Sequence, residues 1–234
     1  SVIQKSDVKI EGSLKLAQYS GSTGTYKLEG GTLDVPIISV GEGDAQFIWK
    51  SGTLLTNRIE TTLFQETSMF NPGQKAEDYV AFDIKGDYIL GKEAELVLDL
   101  AGVSENAGEY DQIRVSGNLQ LLGDLRVVFK NHTPTENESW QLFKWDGAIK
   151  NDLKNIILPT LTRPLYWDTT QLDKTGHIQI KKEGTLAILG KVGVESQVNT
   201  TTENHQYTNT KSSITPLTDS TFLVVWESKD SSNS

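Results

Sequence analysis

Apolar and polar residues alternate along most of the first 180 positions. Val8 and Ile10, then Leu14 and Leu16 after a Gly-Ser break, keep a period of two, which predicts half-buried strands. The stretch Tyr-Lys-Leu-Glu-Gly-Gly-Thr-Leu at 26–33 returns as Phe-Ile-Trp-Lys-Ser-Gly-Thr-Leu at 47–54. Tyr26 maps to Phe47, Leu28 to Trp49, Gly31-Thr32 to Gly52-Thr53 and Leu33 to Leu54, at an offset of 21 residues. A period of about 20 residues with glycine corners predicts a β-solenoid, in which each coil buries its inward face on the next. Phe47 and Trp49 share one phase and are expected in the core. Between the two copies, residues 35–40 read as a short strand closed by Gly41-Glu42-Gly43-Asp44.

Residues 57–80 are less regular. Met69-Phe70-Asn71-Pro72-Gly73 is a turn signal that marks an insertion or a change of coil type. Two looser units follow, 88–100 and 119–129, each a short strand, a Gly turn and a longer alternating strand. Leu96, Leu98 and Leu100 are expected on one face, as are Leu125, Val127 and Phe129. Trp140 to Trp145 reads as one aromatic strand. Trp140 with Leu142 and Trp145 with Phe143 have opposite phases, so one of these pairs is expected outside the core. Residues 148–153 have room for one helical turn. After about residue 190 the chain is rich in Thr, Ser and Asn, until a last apolar strand at Phe222, Leu223, Val224, Val225 and Trp226. The expectation is an all-β chain. Residues 1–180 form β-solenoid coils with a β-rich cap, the 26–54 echo being the last coils before it. Residues 181–234 form a C-terminal β extension, a partial repeat or an exchanged strand.

Composition narrows the partners. The chain has 234 residues, a net charge of −9 and a pI near 4.9. Nucleic acid and anionic membrane are disfavoured, because both require clustered Lys and Arg. No apolar run of about 18 residues is present, so no transmembrane segment is expected. Cysteine is absent, which removes disulfides, thiolate metal sites and a Cys nucleophile. An acidic, Thr- and Ser-rich β chain with one Met fits an extracellular or cell-surface setting. The strand-like start at Ser1 is read as a removed leader or as a piece of a longer protein.

The Gly-Gly-Thr-Leu and Ser-Gly-Thr-Leu corners are joined by Glu109-Tyr110-Asp111-Gln112-Ile113-Arg114-Val115-Ser116-Gly117-Asn118-Leu119 and by Pro164-Leu165-Tyr166-Trp167-Asp168-Thr169-Thr170-Gln171-Leu172, then Gly176-His177-Ile178. In this order, residues 24–180 resemble the final coils and cap of bacterial autotransporter-associated β-helix surface proteins. Residues 194–227 are similar to one repeat of giant secreted bacterial adhesins, through Val194 to Thr202, Gln206-Tyr207 and Phe222 to Ser228. Asp219-Ser220-Thr221 stands where those repeats hold Asp-Gly-Gly. The resemblance implies an exported, non-catalytic surface module.

Candidate chemistry is sparse. The three histidines, His132, His177 and His205, are far apart, with no Gly-x-Ser-x-Gly elbow beside them, and read as surface residues. Glu42/Asp44, Glu77/Asp78 and Glu109/Asp111 are carboxylate pairs of the kind that hold Ca²⁺ or act as acid and base. No spacing favours one of them, and they read as solvated turn charges. Asp219 and Asp230 flank the last strand as candidate Ca²⁺ contacts; no other cofactor is expected. Trp140 and Trp145 are the candidate carbohydrate contacts. Phe222, Leu223, Val224, Val225 and Trp226 are the candidate assembly strand, read as unpaired and open to strand addition. Two functions follow. One is a non-enzymatic structural or adhesive module that self-associates head-to-tail or meets other surface proteins. The other is a β-helix that binds or cleaves a polysaccharide.

Overall fold

Each stretch of alternating residues pairs with the stretch that follows it, strand beside strand and in the same direction. The computed structural model describes residues 1–72, 79–105 and 108–183, together with the backbone of four short strands beyond them. The chain divides into two units, Ser1–Gly184 and Thr185–Ser234. The first is an all-β body of mostly parallel sheets.

The first sheet contains, in spatial order, Val2–Gln4, Thr23–Asp34, Asp44–Leu55, Thr62–Gln65, Tyr88–Leu90, Leu119–Leu121 and Ile149–Asn151, with Val8–Lys9 also paired to Thr23–Asp34. Spatial order is therefore chain order. The second sheet runs from Ser13–Leu16 through Ile37–Val40, Arg58–Ile59, Ala81–Ile84 and Gln112–Val115 to Phe143–Trp145. A third begins at Met69–Phe70 and continues through Glu95–Leu100 and Asp124–Phe129 to Asn155–Ile157. The chain visits the sheets in turn and moves along by one strand on each pass.

The 21-residue echo is a register. Tyr26 pairs with Phe47, Leu28 with Trp49, Thr32 with Thr53 and Leu33 with Leu54. Tyr26 and Phe47 stack with ring centroids 5.7 Å apart. Phe47 and Trp49 are buried, as their phase requires. The two later units register in the same way: Tyr88 on Leu119, Leu96 on Leu125, Leu98 on Val127 and Leu100 on Phe129. Parallel pairing is not confined to the two echoing passes; it extends from Val2 to Ile157. The irregular stretch near 57–80 is where the third sheet starts. The first-sheet strand shortens to Thr62–Gln65, and Met69–Phe70 pairs with Glu95 and Leu96.

Two devices fix the corners. Gly31 and Gly52 occupy left-handed backbone, φ 68° and 88°. A Cβ on Gly52 would lie 2.4 Å from the Gly31 carbonyl oxygen, and one on Gly31 would lie 2.3 Å from the Ser6 carbonyl carbon. Only glycine satisfies both demands. The second device is a buried glutamine. The Tyr26 hydroxyl donates to Gln4 Oε1 at 2.6 Å, and Gln4 Nε2 donates to the Ser6 and Thr32 carbonyls. The Tyr88 hydroxyl donates to Gln65 Oε1 at 2.6 Å, and Gln65 Nε2 donates to the Ser68 and Glu95 carbonyls. Each amide joins a corner of its own pass to the next pass, and burial raises the pKa of both tyrosines. Farther along, Gly117 N–H donates to the Gly86 carbonyl and Gly147 N–H to the Gly117 carbonyl, 3.0 Å in each case.

The last part of the first unit closes one end of the body. Ser139–Gln141, His177–Lys182 and Leu165–Asp168 form a three-stranded antiparallel sheet. Among the described residues the one helical turn is Leu172–Thr175, and its Leu172 is buried. It is not at 148–153, where Ile149–Asn151 is a strand of the first sheet.

In the second unit, Ile214–Thr218 pairs with Thr221–Val224 and Gln206–Tyr207 with Glu227–Ser228, both antiparallel.

Gly52→Ala is expected to cost at least about 2 kcal/mol, since it adds left-handed strain to a backbone clash. A lower urea midpoint at unchanged slope is the expected readout.

Candidate functional site

Candidate chemistry and contact lie in three places: the aromatic cap, the carboxylates and the two ends of the parallel body. The cap holds Trp140, one of the two candidate carbohydrate contacts, and Trp145 lies beside it. They do not lie on one strand. The chain turns at Leu142, which separates Ser139–Gln141 in the antiparallel sheet from Phe143–Trp145 in the second parallel sheet. That bend lets Leu142 and Phe143 both be buried, which one regular strand forbids. Gly176 anchors it, its carbonyl accepting from Leu142 N–H at 2.8 Å and Phe143 N–H at 3.3 Å.

Trp140 is fully buried, at 0% exposure. Its indole N–H donates to the Gly102 carbonyl at 2.6 Å, and its ring lies 5.6 Å from Trp167 and 6.0 Å from Phe129. The Trp140 ring has no free face, so it is a core residue and not a carbohydrate contact. Trp145 is half-buried against the core. Trp167 donates its indole N–H to the Pro159 carbonyl at 2.8 Å.

His132 is not a surface residue. Its side chain is 13% exposed and meets Trp140 edge-on at 5.9 Å, with Nε2 2.9 Å from Glu138 Oε2. The polar loop around it folds back at Asn131 and Asn137, both left-handed, a conformation Asn accepts more readily than most residues. His177 Nδ1 lies 2.9 Å from the Thr175 carbonyl. His205 lies outside the described residues.

The carboxylate pairs separate. Glu42, in a bend, and Asp44, at the start of the strand Asp44–Leu55, are both exposed. Glu77, Asp78, Asp219 and Asp230 lie outside the described residues. Glu109 turns to the Ser104 N–H at 3.0 Å. Asp111 turns inward instead and is 1% exposed. Its Oδ1 accepts from Val80 N–H at 3.0 Å and its Oδ2 from Asp99 N–H at 2.9 Å. Asp99 is the partner that sequence reasoning missed. It is 4% exposed, with Oδ2 3.3 Å from Asn71 Nδ2 and 3.4 Å from Lys130 Nζ. The available signal was an Asp interrupting the apolar run Leu96 to Leu100. Burial, with the Asp99 charge adding to it, pushes Asp111 up to about 7 against the pull of two backbone N–H groups and Lys130. Among the described residues no three His, Asp or Glu side chains converge to hold a metal.

The two ends of the body differ. At the far end, the helical turn and the antiparallel sheet cover the core. At the near end, Val8 and Leu14 are half-buried, whereas their register partners Leu33 and Ile38 are fully buried. Val2 and Ile3 are 52% and 54% exposed. Val2–Gln4 and Ser13–Leu16 are the first strands of their sheets and have one neighbour each.

Of the candidate assembly strand, Phe222, Leu223 and Val224 pair with Pro216, Thr215 and Ile214. This stretch is one arm of a hairpin and not an unpaired strand, because only two residues separate it from Ile214–Thr218. Val225 and Trp226 lie outside the described residues. No helix among the described residues is long and apolar enough to cross a membrane. No protein-family model matches this chain, and no curated protein and no solved structure matches it either.

Trp140→Ala is expected to lower stability by about 3–5 kcal/mol, the range for emptying a large buried aromatic site. Thermal melts of the variant check this, and a variant as stable as the parent contradicts the core role.

Proposed function

We propose that this chain is a β-solenoid with one closed end, and that it serves as a non-catalytic structural or adhesive module outside the cell. Kinship with autotransporter-associated β-helix proteins, and of residues 194–227 with adhesin repeats, belongs to the same proposal. The observation that carries it is the difference between the ends. The antiparallel cap covers one end, while at the other Val2–Gln4 and Ser13–Leu16 are edge strands with exposed or half-buried side chains. Such an edge accepts a further strand.

The occupant we assign to the open edge is a second copy of the chain, meeting it end to end. The whole chain carries −9, which keeps copies apart. The first 16 residues instead interleave Lys5, Lys9 and Lys15 with Asp7 and Glu11, so two such edges do not repel as the rest would. The two candidate carbohydrate contacts do not support the polysaccharide reading, because Trp140 is enclosed and Trp145 is packed on the core.

Light scattering and negative-stain microscopy of the pure protein test this. Discrete dimers are expected, and they should become monomers in a Val2→Lys/Ile3→Lys variant whose melting temperature is little changed. Monomers at all concentrations overturn the self-association. Loss of assembly on deleting residues 215–234, but not in the lysine variant, transfers the contact to the C-terminal strand. A glycan array and a reducing-end assay on acidic polysaccharides are expected to be blank; product overturns the non-catalytic reading, and binding without product favours the polysaccharide-binding one.

A further inference from the structure

The first corner of the parallel body differs from the corners stacked behind it. It joins Ser13–Leu16 of the second sheet to Thr23–Asp34 of the first, and it takes six residues, 17–22. The later corners between these two sheets take two or three, as at Gly41 to Gly43 and at Glu60 and Thr61. The extra length is not slack. Gly41 N–H donates to the Leu16 carbonyl at 2.8 Å, Gly43 N–H to Ala17 at 3.0 Å and Asp44 N–H to Ser22 at 2.9 Å. Within the corner, Ser22 donates to the Tyr19 carbonyl through both its N–H and its hydroxyl. The second corner admits the first only because it is built of glycine. A Cβ on Gly41 would lie 2.5 Å from Gln18 Cα, and one on Gly43 would lie 2.2 Å from the Ser22 carbonyl oxygen.

This clamped backbone holds an aromatic ring away from the body. Tyr19 is 74% exposed, more than any other large apolar side chain among the described residues. The tyrosines of the following passes are used by the fold, Tyr26 and Tyr88 each binding a buried glutamine. A single exposed aromatic is ordinary on a protein surface. The position of this one is not. It lies at the uncapped end, where Val2 and Ile3 are also exposed. The strand that leaves the corner at Thr23 reaches Tyr26, the register partner of Val2, after three residues, about 10 Å at the rise of a strand.

The charges at this end narrow the partner. The corner Ala-Gln-Tyr-Ser-Gly-Ser has none. Lys5 already pairs with Glu29, and Lys9 with Glu11. The end therefore has no preference for a strongly acidic or basic surface. A second copy presents the same uncharged corner and the same apolar edge, and its excess negative charge lies elsewhere. Resting on the self-association put forward above, we propose that Tyr19 is the anchor of the end-to-end contact, its ring buried on the other copy together with Val2 and Ile3. A tyrosine ring brings a large rigid contact area and fixes only two side-chain torsions. With the corner already held, little further ordering is needed on association. Such rings are common among the few residues that dominate an interface.

Sedimentation of the full chain over a concentration series, with hydroxyl-radical footprinting, provides the test. Tyr19→Ala is expected to weaken the dimer at least about thirtyfold. Tyr19→Phe keeps the ring and should stay within about threefold of the parent. Tyr166→Ala removes an exposed ring from the cap and should leave the dimer unchanged. Tyr19→Ala should melt within about 2 °C of the parent, as surface substitutions do. Radicals should oxidise Tyr19 in dilute protein and spare it at concentrations where the dimer forms. A parent that stays monomeric overturns the self-association and the anchor with it. A parent dimer that Val2→Lys/Ile3→Lys dissociates and Tyr19→Ala leaves intact overturns the anchor alone. Equal oxidation of Tyr19 in monomer and dimer does the same.

Discussion

Parallel register between consecutive passes is the constraint on which the rest of the first unit depends. A parallel strand cannot satisfy its backbone within its own pass, so each pass requires the next one at a matched position. Once Tyr26 pairs with Phe47 and Leu28 with Trp49, the inward side chains must stack on one another. The glycine corners follow from this, since a corner directly over another corner leaves no room for a Cβ. The glutamines follow as well. A corner turns backbone carbonyls inward, and Gln4 and Gln65 satisfy such carbonyls from two passes at once. Salt bridges align with the same register, as between Glu60 and Lys85 and between Glu95 and Arg126. They are partly exposed and contribute little to stability.

Much of this stacking is visible in the residues, because its signal is local and repeated. Tyr26, Leu28, Gly31 and Leu33 meet their counterparts at a fixed offset, and strict alternation of period two assigns the inward face. The signal weakens where the third sheet enters. The first-sheet spacing between passes then grows to 31 residues, as from Tyr88 to Leu119, and loops of variable length break the period. The clamps were hidden for a different reason. Gln4 and Gln65 look like ordinary polar residues, and only the tyrosine of the next pass, Tyr26 or Tyr88, explains their burial.

The cap was legible as β structure but not in its geometry. Their alternation places Trp140, Leu142, Phe143 and Trp145 on one strand, and one strand cannot bury both phases. The chain resolves the conflict by bending at Leu142 and placing its two halves in different sheets. Phe129, His132 and Trp167 then enclose Trp140, so the residues that looked most suited to a sugar became the seal of the core. Aromatic richness near the end of a parallel stack therefore indicates closure as readily as recognition. Exposure, which no alternation pattern supplies when a strand breaks, separates the two.

Asp99 and Asp111 show the same limit in electrostatic form. On a regular half-buried strand an aspartate between two leucines points to solvent, and the alternation Leu96, Leu98, Leu100 places Asp99 there. Asn71, Lys130 and Asp111 meet Asp99 on that outer face, and Asp99 and Val97 are buried along with the leucines. A surface position thereby becomes a second interior, lined by polar groups. Backbone N–H groups from two sheets converge on one carboxyl there, and a charge that costs little in water becomes expensive. Asp99 Oδ1, buried without a hydrogen-bond partner among the described residues, is the consequence of covering a strand face that the parallel stack alone would have left wet.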